Sequence, residues 1–290
     1  FIRRDIFASY ISAFRAFRMK KFYSLGDNLI KEISRFYGDK ITYGKIMKLL
    51  REKDVKVNGR RVNKDVKTKK GDEITVYYDG EDKKIEIKVL YKDDNILVAY
   101  KPKGVTSEDF YNAVKEKYES AIFTHRLDRN TDGITLFALN DIAYGELFDG
   151  LKNRTFDKRY TATVYGVMPK RKDRLTAYLK KDEKAAKVEI SAAPKKGYEK
   201  IITDYEVLSS DGETSVLRVG LITGRTHQIR AHLAFTGHFI IGDGKYGKEE
   251  INRYKAKYQL LTATEITLGF AENSPLYYLN DKKFTIEGTI

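Results

Sequence analysis

Residues 124–139 read THRLDRNTDGITLFAL, and the fold is decided there. The first half is polar: His125, Arg126, Asp128 and Arg129 crowd into five positions. Thr131, Asp132 and Gly133 then form a turn, and ITLFAL follows as an apolar run of strand length, rich in β-branched and aromatic residues. A charged loop therefore feeds straight into a buried strand. An aspartate flanked by arginines is well placed to keep its negative charge, which a nucleophile or base needs. A salt-bridged structural loop fits the same spacing, and spacing alone leaves both readings open.

Two further segments carry comparable chemistry. Residues 221–247 read LITGRTHQIRAHLAFTGHFIIGDGKYG. Gly224 is expected to end a strand and Arg225-Thr226 to open a helix, with His227, Arg230 and Ala231 in its first turns. Gly237 and Gly242 mark later turns. Arg225, Arg230 and His232 would make this helix start an anion site, since its free N–H groups add positive potential. Residues 100–105, YKPKGV, read as a strand ended by a sharp turn that presents Lys101.

All four histidines (125, 227, 232 and 238) fall in the two long segments. No HExxH is present, and His227 and His232 are five apart rather than the four that aligns two ligands on a helix. With no evident carboxylate ligand set, no metal is expected.

Outward from these segments, the chain from Ile85 alternates like half-buried strands in IEIKVLY, NILVAY, RYTATVYG, DYEVLSS and TSVLRVGLI. Helical spacing appears near 109–118 and 141–152. Few βαβ units occur, so an α+β fold is expected, with a mainly antiparallel, mixed sheet flanked by helices and loops. Residues 1–22 read as an Arg-rich helical extension. Residues 23–80 read as a small αβ module, with helices over 28–36 and 42–52. A hairpin turns at Asn58-Gly59, and a second turn at 69–72 precedes EITVYY. DGEDKK at 79–84 is the linker to a second domain, 85–290.

Charge divides along the same line. The net charge is +14, and residues 1–80 hold twenty basic and ten acidic residues. A basic module joined to a nearly balanced body suggests a polyanion-binding appendage on a catalytic domain, with nucleic acid as the partner. No run of about 18 apolar residues occurs, so no membrane span is expected. The absence of cysteine excludes disulfides and thiolate metal sites and fits a reducing, cytoplasmic setting.

Together the segments resemble the RluA family of pseudouridine synthases. HRLDRNTDGI is similar to that family's signature around its aspartate, GRTHQIRAHL to its C-terminal motif, YKPKGV to its lysine-proline motif and KRYTATVYG to its tyrosine segment. Residues 23–80 resemble an S4-like RNA-binding domain. There Lys45, Lys48, Arg51, Lys53, Lys56, Arg60 and Arg61 would form the positive face.

The resemblance implies roles. Asp128 would be the essential carboxylate, Tyr160 would stack on the base, and Arg230 would pair with Asp128. Arg126 would help expel the target base and hold the gap. Lys101, His125, Arg129, Arg225, His227 and His232 would support the loop or contact phosphates. Where the family usually has Ser, this chain has Asp132, a second carboxylate near the first.

The implied reaction isomerises uridine to pseudouridine, with no net oxidation and no cofactor required. RNA is the implied partner, ribosomal first and transfer RNA second, with a monomer as the expected working state. A non-catalytic RNA-binding or ribosome-assembly protein is the other reading. A glycosidase or phosphohydrolase lacks the partner carboxylate or metal its chemistry needs.

Overall fold

The computed structural model describes residues 19–52, 54–78, 85–182, 187–247, 254, 256 and 258–286. The expected helix over 1–18 and the predicted contact Lys53 lie outside them, as does the linker over 79–84. The chain divides into two compact units, 1–84 and 85–290.

In the first unit, β1 (Lys20–Tyr23), β4 (Glu73–Val76), β2 (Val55–Val57) and β3 (Arg60–Val62) form an antiparallel sheet in the order β1-β4-β2-β3. Residues 20–22, expected to belong to a helical extension, are therefore an edge strand. Phe22 stacks on Phe36 at 4.2 Å, an apolar anchor that ties this edge to the helical side. Helix α1 (Leu29–Tyr37) and helix α2 (Tyr43–Arg51) contribute Leu29, Ile33, Ile46, Leu49 and Leu50 to the core beneath the sheet. Thr42 caps α2 by accepting from the Lys45 amide. Asn58 and Gly59 both adopt positive φ, the geometry a two-residue hairpin turn needs.

The second unit is built on an eleven-stranded sheet. Its path runs β11 (Lys187–Ser191), β10 (Lys172–Asp182), β12 (Glu199–Ser210), β13 (Thr214–Leu221), β9 (Asp157–Tyr165), β14 (Leu261–Thr267), β8 (Asp132–Ala138), β6 (Ile96–Lys101) and β5 (Lys88–Lys92). Strand β7 (Ile122–Phe123) pairs with β8, and β15 (Lys283–Thr285) with β14. Every pairing among the described residues is antiparallel except β14 with β8, so the sheet is mixed.

That parallel junction lies beside the Asp128 loop. Gly133 follows it with φ of +123°, and a Cβ there would fall 2.3 Å from the Ala263 carbonyl oxygen. Only glycine lets β8 approach β14 so closely.

Helix α3 (Ser107–Lys117) buries Phe110 and Val114 against Leu97, Ala99 and Phe137. Helix α4 (Asp141–Asn153) buries Ala143 and Leu147 among Ile96, Val98, Ile134 and Leu136. Helix α5 (Gln228–Phe235) packs Ile229 and Leu233 into a cluster with Leu127, Tyr160, Ala162 and Val164. Along β9 the alternating residues Tyr160, Ala162 and Val164 face that cluster, as period-two geometry requires. Tyr160 is thereby held in the same core as Leu127, the neighbour of Asp128. No helix among the described residues is long and apolar enough to cross a membrane.

Candidate active site

Asp128 sits on the loop between β7 and β8, and its backbone is fixed from both sides. The Leu127 amide donates to Ser107 Oγ at 2.9 Å, and that hydroxyl donates back to the Leu127 carbonyl at 2.8 Å. The Thr131 amide donates to the Asp128 carbonyl at 3.0 Å. The YKPKGV turn supports the loop from below. Lys101 is completely buried, and its ammonium donates to the carbonyls of Pro102, Val105 and Arg129 at 3.0, 2.8 and 3.3 Å. Burial pulls its pKa down to about 8, against the opposing pull of Asp132 and Asp128. Lys101, expected to support the loop or contact phosphates, is an anchor of the Asp128 loop. Arg129 Nε joins the same stitching, donating to the Gly104 carbonyl at 3.1 Å.

The resemblance implied that Arg230 would meet Asp128, 102 positions away. Arg230 Nη1 donates to Asp128 Oδ2 at 2.7 Å. The other edge of the same guanidinium grips Asp243: Nε to Oδ2 at 2.7 Å and Nη2 to Oδ1 at 2.9 Å. The amides of Lys245 and Tyr246 also donate to Asp243 Oδ1. Burial works against the charge on Arg230, but its bonds to Asp243 and Asp128 outweigh that and raise its pKa. For Asp243 burial pushes upward, and the Arg230 and amide bonds bring it below the usual carboxylate range.

Tyr160 is nine-tenths buried beside this pair. Burial, then the negative charge of Asp128, raises its pKa well above a free phenol's, so it stays protonated.

Asp128, Tyr160, Arg230 and His227 line a cleft of about 520 Å³, with Arg126, Lys158, Lys181, Lys187, Arg225 and Lys245 as its further cations. Asp128 is the only acid among the described residues of that lining, a polarity suited to a phosphodiester strand. A second hollow of about 390 Å³, around Arg174 and Arg218, is different in kind. Cross-strand pairs such as Arg174–Asp204 at 2.7 Å neutralise it internally.

The remaining predicted residues separate. Arg126 is exposed at the cleft and lies 3.5 Å from Glu108. Arg225 also lines the cleft and is ion-paired with Glu199. His125 is committed to the loop: its Nε2 accepts from the Leu136 amide at 3.0 Å, and burial with nearby Lys158 lowers its pKa to about 3. His232 is sealed against Thr203 at 3.0 Å and pulled to about 4 by burial.

The expected helix start at Arg225-Thr226 is corrected as well. The helix begins at Gln228, because the Gln228 carboxamide oxygen takes the Arg225 amide at 3.1 Å and the Thr223 hydroxyl at 2.8 Å. The Gln228 side chain thus takes an amide of the turn that precedes the helix.

Asp132, the second carboxylate, is satisfied in the sheet. It accepts from Tyr100 at 2.5 Å and Thr262 at 2.7 Å, with Lys103 at 3.5 Å. Sequence reasoning missed Asp243, Tyr246 and Lys158. Asp243 had one signal: it is a lone acid between two glycines in a segment already singled out.

This fold and this acid in a basic cleft define the class. The chain shares its fold with the human structure titled RNA Pseudouridylate Synthase Domain Containing 1, with a TM-score of 0.57 and 22% identity over 69% of this chain and 89% of that one. The family described as RNA pseudouridylate synthase matches residues 86–235. Ribosomal large subunit pseudouridine synthase C of Rickettsia felis is 31% identical over 274 residues, 84% of this chain and 89% of the relative. The mitochondrial tRNA pseudouridine(32) synthase of Saccharomyces cerevisiae is 33% identical over 175 residues, covering 57% of this chain and 38% of that one. The chain belongs to the RNA pseudouridylate synthase family, in its RluA-type branch, and is an RNA pseudouridine synthase.

Proposed function

We propose that this synthase isomerises particular uridines of large-subunit ribosomal RNA, with Asp128 as the essential carboxylate. The observation that carries the reading is the 2.7 Å Asp128–Arg230 contact opening onto a basic cleft. The relative from Rickettsia felis, named for the large ribosomal subunit, supports the choice of RNA.

A paired uridine cannot reach Asp128 without leaving its stack, at a cost of a few kcal/mol. Arg126, exposed beside the cleft, fills the vacated space, and Tyr160 stacks on the base, which contributes about 1–3 kcal/mol. Asp128 then acts at the ribose, by attack at C1′ or by removal of the 2′ proton. The N1–C1′ bond breaks, the uracil turns and C5 bonds to C1′. The C5 proton is lost and N1 ends protonated, so atoms and electrons balance within the nucleoside. Arg230, locked by Asp243, fixes the carboxylate through both routes.

The first unit reads as an S4-like RNA-binding module. Its support is a basic surface in which Arg51, Arg60 and Arg61 are exposed and Lys45, Lys48 and Lys56 are half-buried. Lys45 lies 4.5 Å from the Tyr78 ring centroid, and Lys56 and Arg61 each lie 5.4 Å from that of Tyr77. The synthase is taken to work as a cytoplasmic monomer.

The test is pseudouridine mapping in RNA from cells with and without the gene. Loss of a large-subunit ribosomal site is the expected result. Loss confined to transfer RNA would select the second reading, which the yeast relative's name favours.

A further inference from the structure

One more cleft residue is held by the protein at both its backbone and its ring. His227 stands at φ of +54°, a left-handed conformation uncommon outside glycine, at the start of α5. Its Nδ1 lies 2.8 Å from the Tyr246 hydroxyl. That hydroxyl accepts the Val188 amide at 3.0 Å and has one hydrogen of its own, which Nδ1 can accept. With that bond made, the neutral ring carries its proton on Nε2. Burial disfavours the charged ring, and although Asp128 pulls the other way, the net direction is downward.

Nε2 lies 3.8 Å from Asp128 Oδ1, the oxygen that Arg230 leaves free. The gap is too long for a direct hydrogen bond. It suits an oxygen seated between the two groups at about 2.8 Å from each. Such an oxygen must accept from an N–H and donate to a carboxylate, which a hydroxyl does. Within an RNA strand the 3′ and 5′ oxygens are esterified, so the 2′-hydroxyl is the only ribose hydroxyl on offer.

We infer that His227 and Asp128 together hold the 2′-hydroxyl of the target nucleotide, Nε2–H donating to it and Oδ1 accepting from it. The pair makes the site discriminate ribose from deoxyribose at the reacting residue. This rests on the reading that Asp128 faces the target nucleotide.

The test uses the full chain and a synthetic RNA stem-loop spanning the mapped uridine, with uridine or 2′-deoxyuridine at that one position. Wild-type kcat/KM is expected to fall about 10- to 100-fold on the deoxy substrate, the size of a lost hydrogen bond to a charged group. His227→Asn tolerates the left-handed backbone but is too short to reach; it removes the neutral Nε2–H bond and should shrink the wild-type preference by about 2- to 12-fold, the remainder being the bond to Asp128. Tyr246→Phe, which frees Nδ1, should give an intermediate ratio. Nitrogen-15 NMR of the His227 ring should show the proton on Nε2. A wild-type ribose preference fully kept in His227→Asn, or a proton found on Nδ1, overturns the inference. Failure of the wild type to modify the ribose stem-loop would instead overturn the parent reading.

Discussion

Asp243 holds Arg230 by two parallel hydrogen bonds, 2.7 and 2.9 Å long, and so turns the guanidinium's remaining Nη1 toward Asp128. Asp243 is fully buried and receives two backbone amides besides. The charge that orients the reactive carboxylate is therefore itself oriented by an acid that the cleft does not expose.

Asp243→Ala should cost both stability and turnover. The buried guanidinium would lose its two bonds to Asp243 and keep only the one to Asp128, and breaking a buried pair costs about 3–5 kcal/mol. A thermal or urea melt measures the first effect, and kcat on ribosomal RNA the second. A variant with wild-type stability and kcat would remove Asp243 from the assembly.

Asp128→Asn should abolish turnover with RNA affinity nearly unchanged, since one charge among many in the cleft is altered. Tritium release from RNA carrying 5-tritiated uridine reads the chemistry, and filter binding reads the affinity. Substantial release would sink the assignment.

Acid should destabilise the catalytic unit through two histidines held neutral by the fold. His125 and His232 titrate at about 3 and 4 in the fold against 6.5 when free. Below pH 6.5 the unfolded chain takes up these protons and the folded chain does not, so stability falls as pH drops from 6.5 through 4. Urea midpoints across pH 7 to 4 measure the slope, and His232→Asn, which removes one such group, should flatten it.

Gly133→Ala should weaken the β8–β14 junction. The added carbon meets backbone 2.3 Å away at a φ of +123°, and neither strand can yield without losing register. A loss of about 3 kcal/mol or more is expected, as for other steric insertions into packed backbone. An unchanged melting temperature would contradict the tight approach.

Substituting Arg51, Arg60 and Arg61 together by Ala should weaken RNA binding and flatten its salt dependence. Each phosphate deprived of its neutralising arginine reduces the slope of log affinity against log salt by about 0.7–0.9. An unchanged slope would separate the first unit from RNA.

The chain's pattern was enough to read the class of sheet, the helices near 109–118 and 141–152, the Asn58-Gly59 hairpin and the loop bearing Asp128. Each depends on local periodicity or turn chemistry, which neighbouring residues carry among themselves. The family motifs brought Tyr160 and Arg230 to the same site. What sequence could not separate was charge used for RNA from charge used for the protein. Lys101, His125 and His232 sit in the right motifs, yet Lys101 and His232 are buried and half-buried His125 is held by the Leu136 amide.

Only the tertiary structure decided that Asp243 locks Arg230, that Asp132 belongs to the sheet and that His227 faces Asp128. Those assignments depend on hydrogen-bond geometry between segments distant in sequence. A carboxylate's partner is set by which strands and turns pack together, and residue spacing along the chain carries no record of that packing.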